Sequence, residues 1–257
     1  MDAAAETKLT SNKFLHVDWV LKARGEFRPT GTGCTITGPS AQEKPTLGVN
    51  GQQDHPAIER EKVHLMTSAI IDTPPALPQT HRPSEVVGFW QAAGRKRWFS
   101  KSTSFDAEFK QRFLPAHEAA LRGYLIGWSL TAEGALALVL LLDQFPRNAF
   151  RDTPRAYETD ALARETADQA IAKGFDRQVE ELLRPFFYMP FMHSEHLADQ
   201  QRCVALCAGV DASTQRAAVK HRVIIARFGR FPHRNAVLGR VSTPEEITFL
   251  ADGGFKG

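Results

Sequence analysis

The side chains able to do chemistry in this chain gather in three short runs. The first reads LLDQFPRNAFR and carries Asp143, Arg147, Asn148 and Arg151. The second, MHSEH, carries His193, Glu195 and His196. The third, ARFGRFPHRNAVLGR, carries Arg227, Arg230, His233, Arg234, Asn235 and Arg240, with His221 two helical turns before Phe228. Guanidinium forks match carboxylates and phosphates. Arg147, Asn148, Arg151, Arg227, Arg230, Arg234, Asn235 and Arg240 are therefore candidate ligands for a small anion or an acidic peptide end. Asp143, Glu195, His193, His221 and His233 are the candidates for proton transfer if such a ligand is a substrate. Arginines beside a core also need anions of their own, because a buried charge is costly unless paired. An internal salt-bridge network with Asp143, Glu195 and Asp199 is the competing expectation.

His193 and His196 are weak metal candidates. Their spacing puts them on one face if the segment is helical, and His221 or His233 would complete a set. It is not the spacing of the two-histidine protease motif, however, and no glycine-rich phosphate loop or nucleophile elbow accompanies it. No metal and no cofactor are expected. Cys203 and Cys207 share a helical face and read as small core residues.

These residues must be positioned by helices. From Ser84 onward the apolar spacing is helical nearly throughout, with no alternating strand pattern. Phe105, Phe109 and Phe113 form one stripe. ALALVLLLDQF is apolar almost all round and predicts a central buried helix. Thr153 and Pro154 read as the start of another helix, PFMHSEHLADQQRCVALCAG as a single further one, and Thr243 with Glu246 as a capping box. Pro115 is expected to break or kink the chain. The phrase Phe-Pro-Arg-Asn in the first run has a counterpart, Phe-Pro-His-Arg-Asn, in the third. Pro146 in one, and Gly229 with Pro232 in the other, predict a single helix-stop device used twice. The fold class is all-α, with antiparallel αα-hairpins in a tetratricopeptide-repeat-like bundle over residues 84–257.

Residues 1–83 differ. They are rich in Gly, Pro, Thr and Gln without a sustained period, and read as a disordered extension. MTSAIIDTPPALPQ resembles a natural beginning, so Met66 competes with Met1 as the true start. Terminal mass analysis of protein made from the native gene should find Met66.

The chain has 257 residues and a formal net charge of +3, too small for a strong nucleic-acid or membrane signature. Its tryptophans do not interleave with the basic cluster, so nucleic-acid stacking is not expected. The longest apolar run is far below the ~20 residues a bilayer requires. Three cysteines form no disulfide framework and fit a reducing cytoplasm.

WFSKSTSFD, GALALVLLLDQFPRNAFRDT, PFMHSEHLADQ and RFGRFPHRNAVLGRVSTPEEITFL closely resemble the bacterial domain-of-unknown-function family 924 over about Ser84 to Leu250. The resemblance implies an all-helical, tetratricopeptide-like fold and no assigned reaction. The first eighty or so residues lie outside it. Three functions stay open: a binding protein with a basic polar pocket, an enzyme using the same pocket, and a purely structural polar network.

Overall fold

A computed structural model of the chain describes residues 81–255. The N-terminal extension and Met66 lie outside the described residues. In chain order the helices are α1 (Pro83–Trp98), α2 (Thr103–Leu121), α3 (Ala132–Val139), α4 (Phe145–Ala149), α5 (Asp160–Ala172), α6 (Met189–Met192), α7 (Leu197–Cys207), α8 (Ala212–Phe228) and α9 (Pro244–Ala251). Short 3-10 turns join several of them, and no strand occurs among the described residues. No described helix is long and apolar enough to cross a membrane.

The apolar helix α3 is the axis of the bundle. Residues from Ala135 to Leu142 are all buried, and α1, α2 and α5 pack around α3 and its continuation. The phenylalanine stripe of α2 closes one side: Phe109 meets Phe145 edge-on at 5.1 Å and stacks near Phe89 at 5.3 Å. Gly94 supplies a positive φ of 70° inside α1. The kink folds Trp98 back so that its Nε1 donates to the Trp90 carbonyl at 2.6 Å. α2 runs through Pro115 without the break that the proline allowed. One proline deletes one backbone bond, and Phe109, Phe113 and His117, buried on both sides of it, hold the helix together.

The first proline phrase is not a helix stop. Leu140–Gln144 widens into a π turn, in which the Phe145 N–H reaches back to the Leu140 carbonyl, and α4 continues directly. This leaves the Leu141 carbonyl without the Phe145 donor. Pro146 has no N–H to offer Leu142. Other elements fill both places. His117 Nδ1 donates to the Leu141 carbonyl at 2.9 Å, and Thr159 Oγ1 to the Leu142 carbonyl at 2.5 Å. The third run does contain a stop: Gly229 is left-handed at φ 68° and donates to the Ile225 carbonyl.

Two further boundaries differ from expectation. The helix expected from Thr153 begins at Asp160, because Thr159 is spent on Leu142 and a 3-10 turn precedes it. The single helix expected through MHSEH is two helices, α6 and α7. Gln200 Nε2 reaches back from α7 to the carbonyls of Phe191, Met192 and Ser194, ending α6. Ser194 Oγ accepts the His196 N–H and donates to Asp199, which starts α7. The Thr243–Glu246 capping box forms as read.

Replacing Thr159 with Val removes the side-chain donor to the buried Leu142 carbonyl. We expect a loss of about 1–3 kcal/mol in urea unfolding, with most of it recovered in Thr159→Ser.

Candidate functional site

The first and third runs meet at one place. Asp143, on the π turn, has no exposed surface. Its Oδ1 accepts His193 Nδ1 at 2.8 Å and lies 3.1 Å from Arg147 Nη1. Its Oδ2 accepts Gln144 Nε2 at 2.6 Å. Burial alone would raise the Asp143 pKa, but Arg147 and His193 hold it down, to about 2. Asp143 is thus a carboxylate that fixes the His193 tautomer. With the proton on Nδ1, the neutral ring carries a lone pair on Nε2. Burial, then Arg147, lower the His193 pKa against the pull of Asp143, which favours this neutral form. Nε2 takes no hydrogen bond among the described residues and is not fully enclosed.

Arg147 turns its fork to a residue that sequence reasoning missed. Nη1 and Nη2 donate to the two carboxylate oxygens of Asp160 at 2.9 and 3.0 Å, and Nη1 also donates to the Asp143 carbonyl at 2.8 Å. Asp160 sits in the first turn of α5, where an acidic residue ordinarily reads only as a complement to the helix dipole.

Arg234, on the 3-10 turn Pro232–Arg234, comes from the other side. It is 6% exposed, its nearest carboxylate contact is Asp160 Oδ2 at 3.7 Å, and its guanidinium makes no hydrogen bond among the described residues. Its carbon lies over the rings of Phe231 and Tyr157 at 4.4 and 4.6 Å. Ring stacking uses the face of a guanidinium and leaves the N–H edge for in-plane acceptors. Burial first, then Arg147, push its pKa down to about 10, the mark of an under-compensated cation.

His221 and His233 flank the cluster. His221 Nδ1 donates to the Ala217 carbonyl at 2.8 Å, and His233 Nδ1 is buried without a partner. Phe255 packs on both rings, at 4.6 and 5.2 Å. Burial is the first cause of a fall to about 4 in each, with Arg234 and His193 adding to it.

The remaining candidates are spread outside the cluster. Arg151 forks onto Asp106 of α2 at 2.6 and 3.0 Å and donates to Asn148 Oδ1, while Asn148 Nδ2 donates to the Gln144 backbone carbonyl. Arg230 forks onto buried Glu246 at 2.7 and 2.8 Å, and Asn235 donates to the same carboxylate and to Ser242. Arg240 grips Glu195 at 2.6 and 2.9 Å, and Glu195 also accepts the Phe231 N–H. Arg227 lies over Phe228 and Phe249. Asp106 and Glu246 carried no signal in the sequence as arginine partners. His193 follows α6 and His196 precedes α7, so the two do not share a helical face as expected. Among the described residues no three His, Cys, Asp or Glu side chains gather as a metal site. Cys203 and Cys207 are buried thiols with sulfurs 3.8 Å apart in the core.

Two surface clefts lie elsewhere. One of about 610 Å³ is bordered by Arg184, Tyr188 and Leu206, the other of about 470 Å³ by Leu197, Arg222 and Val223. In the larger, Arg184 and Tyr188 are both spent on Asp176. The Arg234 cluster differs in holding a buried donor, Arg234 Nε, that nothing uses.

The sequence matches the family described as "Bacterial protein of unknown function (DUF924)" over residues 86–254, and the chain belongs to that family. A solved structure of a protein of unknown function from Agrobacterium tumefaciens is 51% identical. The match covers 66% of this chain and 97% of that one, with a TM-score of 0.66. No curated protein matches the sequence.

The histidines set a pH dependence. With His221 and His233 near 4 in the folded chain against an ordinary 6.5, the unfolded chain binds extra protons between those values. Their contribution to stability is therefore complete above about 6.5 and falls as pH drops toward 4, by at most about 1.4 kcal/mol per pH unit for each. Urea midpoints measured from pH 7 to 4 should show this decline. A flat profile would mean that both rings take up protons freely in the folded protein.

Proposed function

We propose that this protein binds a small anion, or the acidic end of a peptide, at Arg234. One observation carries the reading: a buried guanidinium with no hydrogen bond. Its nearest carboxylate, Asp160, already gives both oxygens to Arg147. A desolvated cation of this kind is costly, and a carboxylate or phosphate in the plane of the fork would offset the cost. His193 and Asp160 have side chains 17% and 16% exposed, which gives solvent a way in. Arg147 lies within the cluster, whereas Arg151, Arg230 and Arg240 serve as structural pins.

A second reading is enzymatic. The Asp143–His193 pair is the arrangement that prepares a neutral imidazole to take a proton, with Asp143 orienting the ring and Nε2 open. Arg234 would then hold an anionic substrate beside it.

The first test is a thermal-shift panel of phosphate, sulfate and small mono- and dicarboxylates. A ligand of the native state at a hundred times its Kd adds about 2.7 kcal/mol of stability. Arg234→Gln should abolish every shift. It should also leave the ligand-free protein within about 1 kcal/mol of wild type, because the change removes a buried charge whose carboxylate contact, Asp160 at 3.7 Å, is already committed to Arg147. A large loss of stability in that variant, with no anion binding to wild type, would instead make Arg234 a structural residue.

A further inference from the structure

The polar groups around Arg234 also select among anions, and this inference rests on the anion-binding reading above. Two arginines, Arg147 and Arg234, face two carboxylates, Asp143 and Asp160, and the four are linked through contacts of 2.9 to 3.7 Å. Formal charge in the group is already balanced. A bare anion gains the free edge of Arg234 but leaves a negative excess against Asp143 and Asp160. A hydroxyl on the anion leaves that charge unchanged but adds a hydrogen bond that offsets part of the cost, provided the site offers an acceptor for its proton.

His193 is that acceptor. Its Nδ1–H is committed to Asp143 at 2.8 Å, so the lone pair is on Nε2. Burial and the nearby Arg147 keep the ring from taking a proton of its own. The other two rings lack the hydrogen-bonded carboxylate that orients His193. His221 gives its Nδ1–H to its own helix, and the unpartnered Nδ1 of His233 is fully enclosed. His193 and Arg234 belong to one chain of charged contacts: Asp143 holds His193, Asp160 contacts Arg234, and Arg147 touches both carboxylates.

We infer that the ligand is a protic anion, carrying an anionic oxygen for Arg234 and an adjacent O–H that donates to His193 Nε2. Two kinds of small acid share that chemistry: 2-hydroxycarboxylates and hydrogen phosphates. No bond is made or broken. The ligand hydrogen stays on its oxygen and is shared with Nε2 only as a hydrogen bond.

The test uses two matched pairs of probes on the full chain at pH 7: glycolate against acetate, and inorganic phosphate against sulfate. Within each pair the charge-bearing oxygens are alike, but only the first member has an O–H. Titration calorimetry should give a Kd at least about tenfold lower for the protic member of one pair or both, since a site built to pair a hydroxyl penalises the analogue lacking it. Preference in the carboxylate pair alone names hydroxy acids, and in the other pair alone names phosphates. His193→Asn keeps an N–H donor for Asp143 and removes Nε2, so it should bring the two members of the pair together while Arg234→Gln abolishes both. If His193→Asn does not fold, the ¹⁵N signal of Nε2 in wild type gives the same answer. It should move on adding glycolate or phosphate and stay on adding acetate or sulfate. Equal binding of all four probes, lost in Arg234→Gln, overturns the selectivity and leaves the anion site standing. Binding of none overturns both.

Discussion

A carboxylate with no exposed surface is the constraint on which the rest of this structure depends. Asp143 cannot remain ionised in the core unless charge and hydrogen bonds surround it. Arg147 and His193 meet that requirement, and each thereby acquires a fixed position. Arg147, anchored at Asp143, extends its fork to Asp160 and ties α5 to the central helix. Asp160, saturated by Arg147, has little left for Arg234. The open Nε2 of His193 and the idle edge of Arg234 both follow from how one buried carboxylate is satisfied.

The π turn is what makes this possible. It lets the chain pass Pro146 without ending the helix, so that Asp143 and Arg147 stay on one helical surface at an ion-pairing spacing. The carbonyls it releases bind His117 from α2 and Thr159 from the start of α5. These bonds bring α5 close enough for Asp160 to meet Arg147. The wide turn, its two side-chain donors and the ionic cluster therefore form one unit in the centre of the bundle.

A buried cation with unused donors persists only when its surroundings are held by something else. Here the holding is done by neighbouring arginines. Arg230 and Asn235 fasten the third run to α9 through Glu246, and Arg240 fastens it to the segment before α7 through Glu195. With pins on both sides, the turn that carries Arg234 cannot swing out to water. Among the charges that resemble one basic patch in the sequence, Arg230 and Arg240 thus build the frame, and Arg234 is held inside it without a hydrogen bond from its fork.

Helical period, apolar stripes and caps are local properties, and they made the all-helical class, the buried central helix, the phenylalanine stripe, the Gly229 stop and the Thr243–Glu246 box legible in the chain alone. The grouping of Asp143, Arg147, His193 and the third run was legible as a set of candidates, since few other polar residues sit beside apolar runs. Partner choice was not. Arg151 with Asp106, Arg230 with Glu246 and Arg147 with Asp160 join residues whose separation in sequence says nothing of their separation in space. The two proline phrases share their letters yet differ in structure: one is bridged because His117 and Thr159 are there to receive its freed carbonyls, and the other ends at a left-handed glycine. Residue type and spacing determined what each segment could do by itself. Which buried arginine would be left without a hydrogen bond depends on the packing of helices distant in sequence, because only that brings a carboxylate within reach or commits it elsewhere.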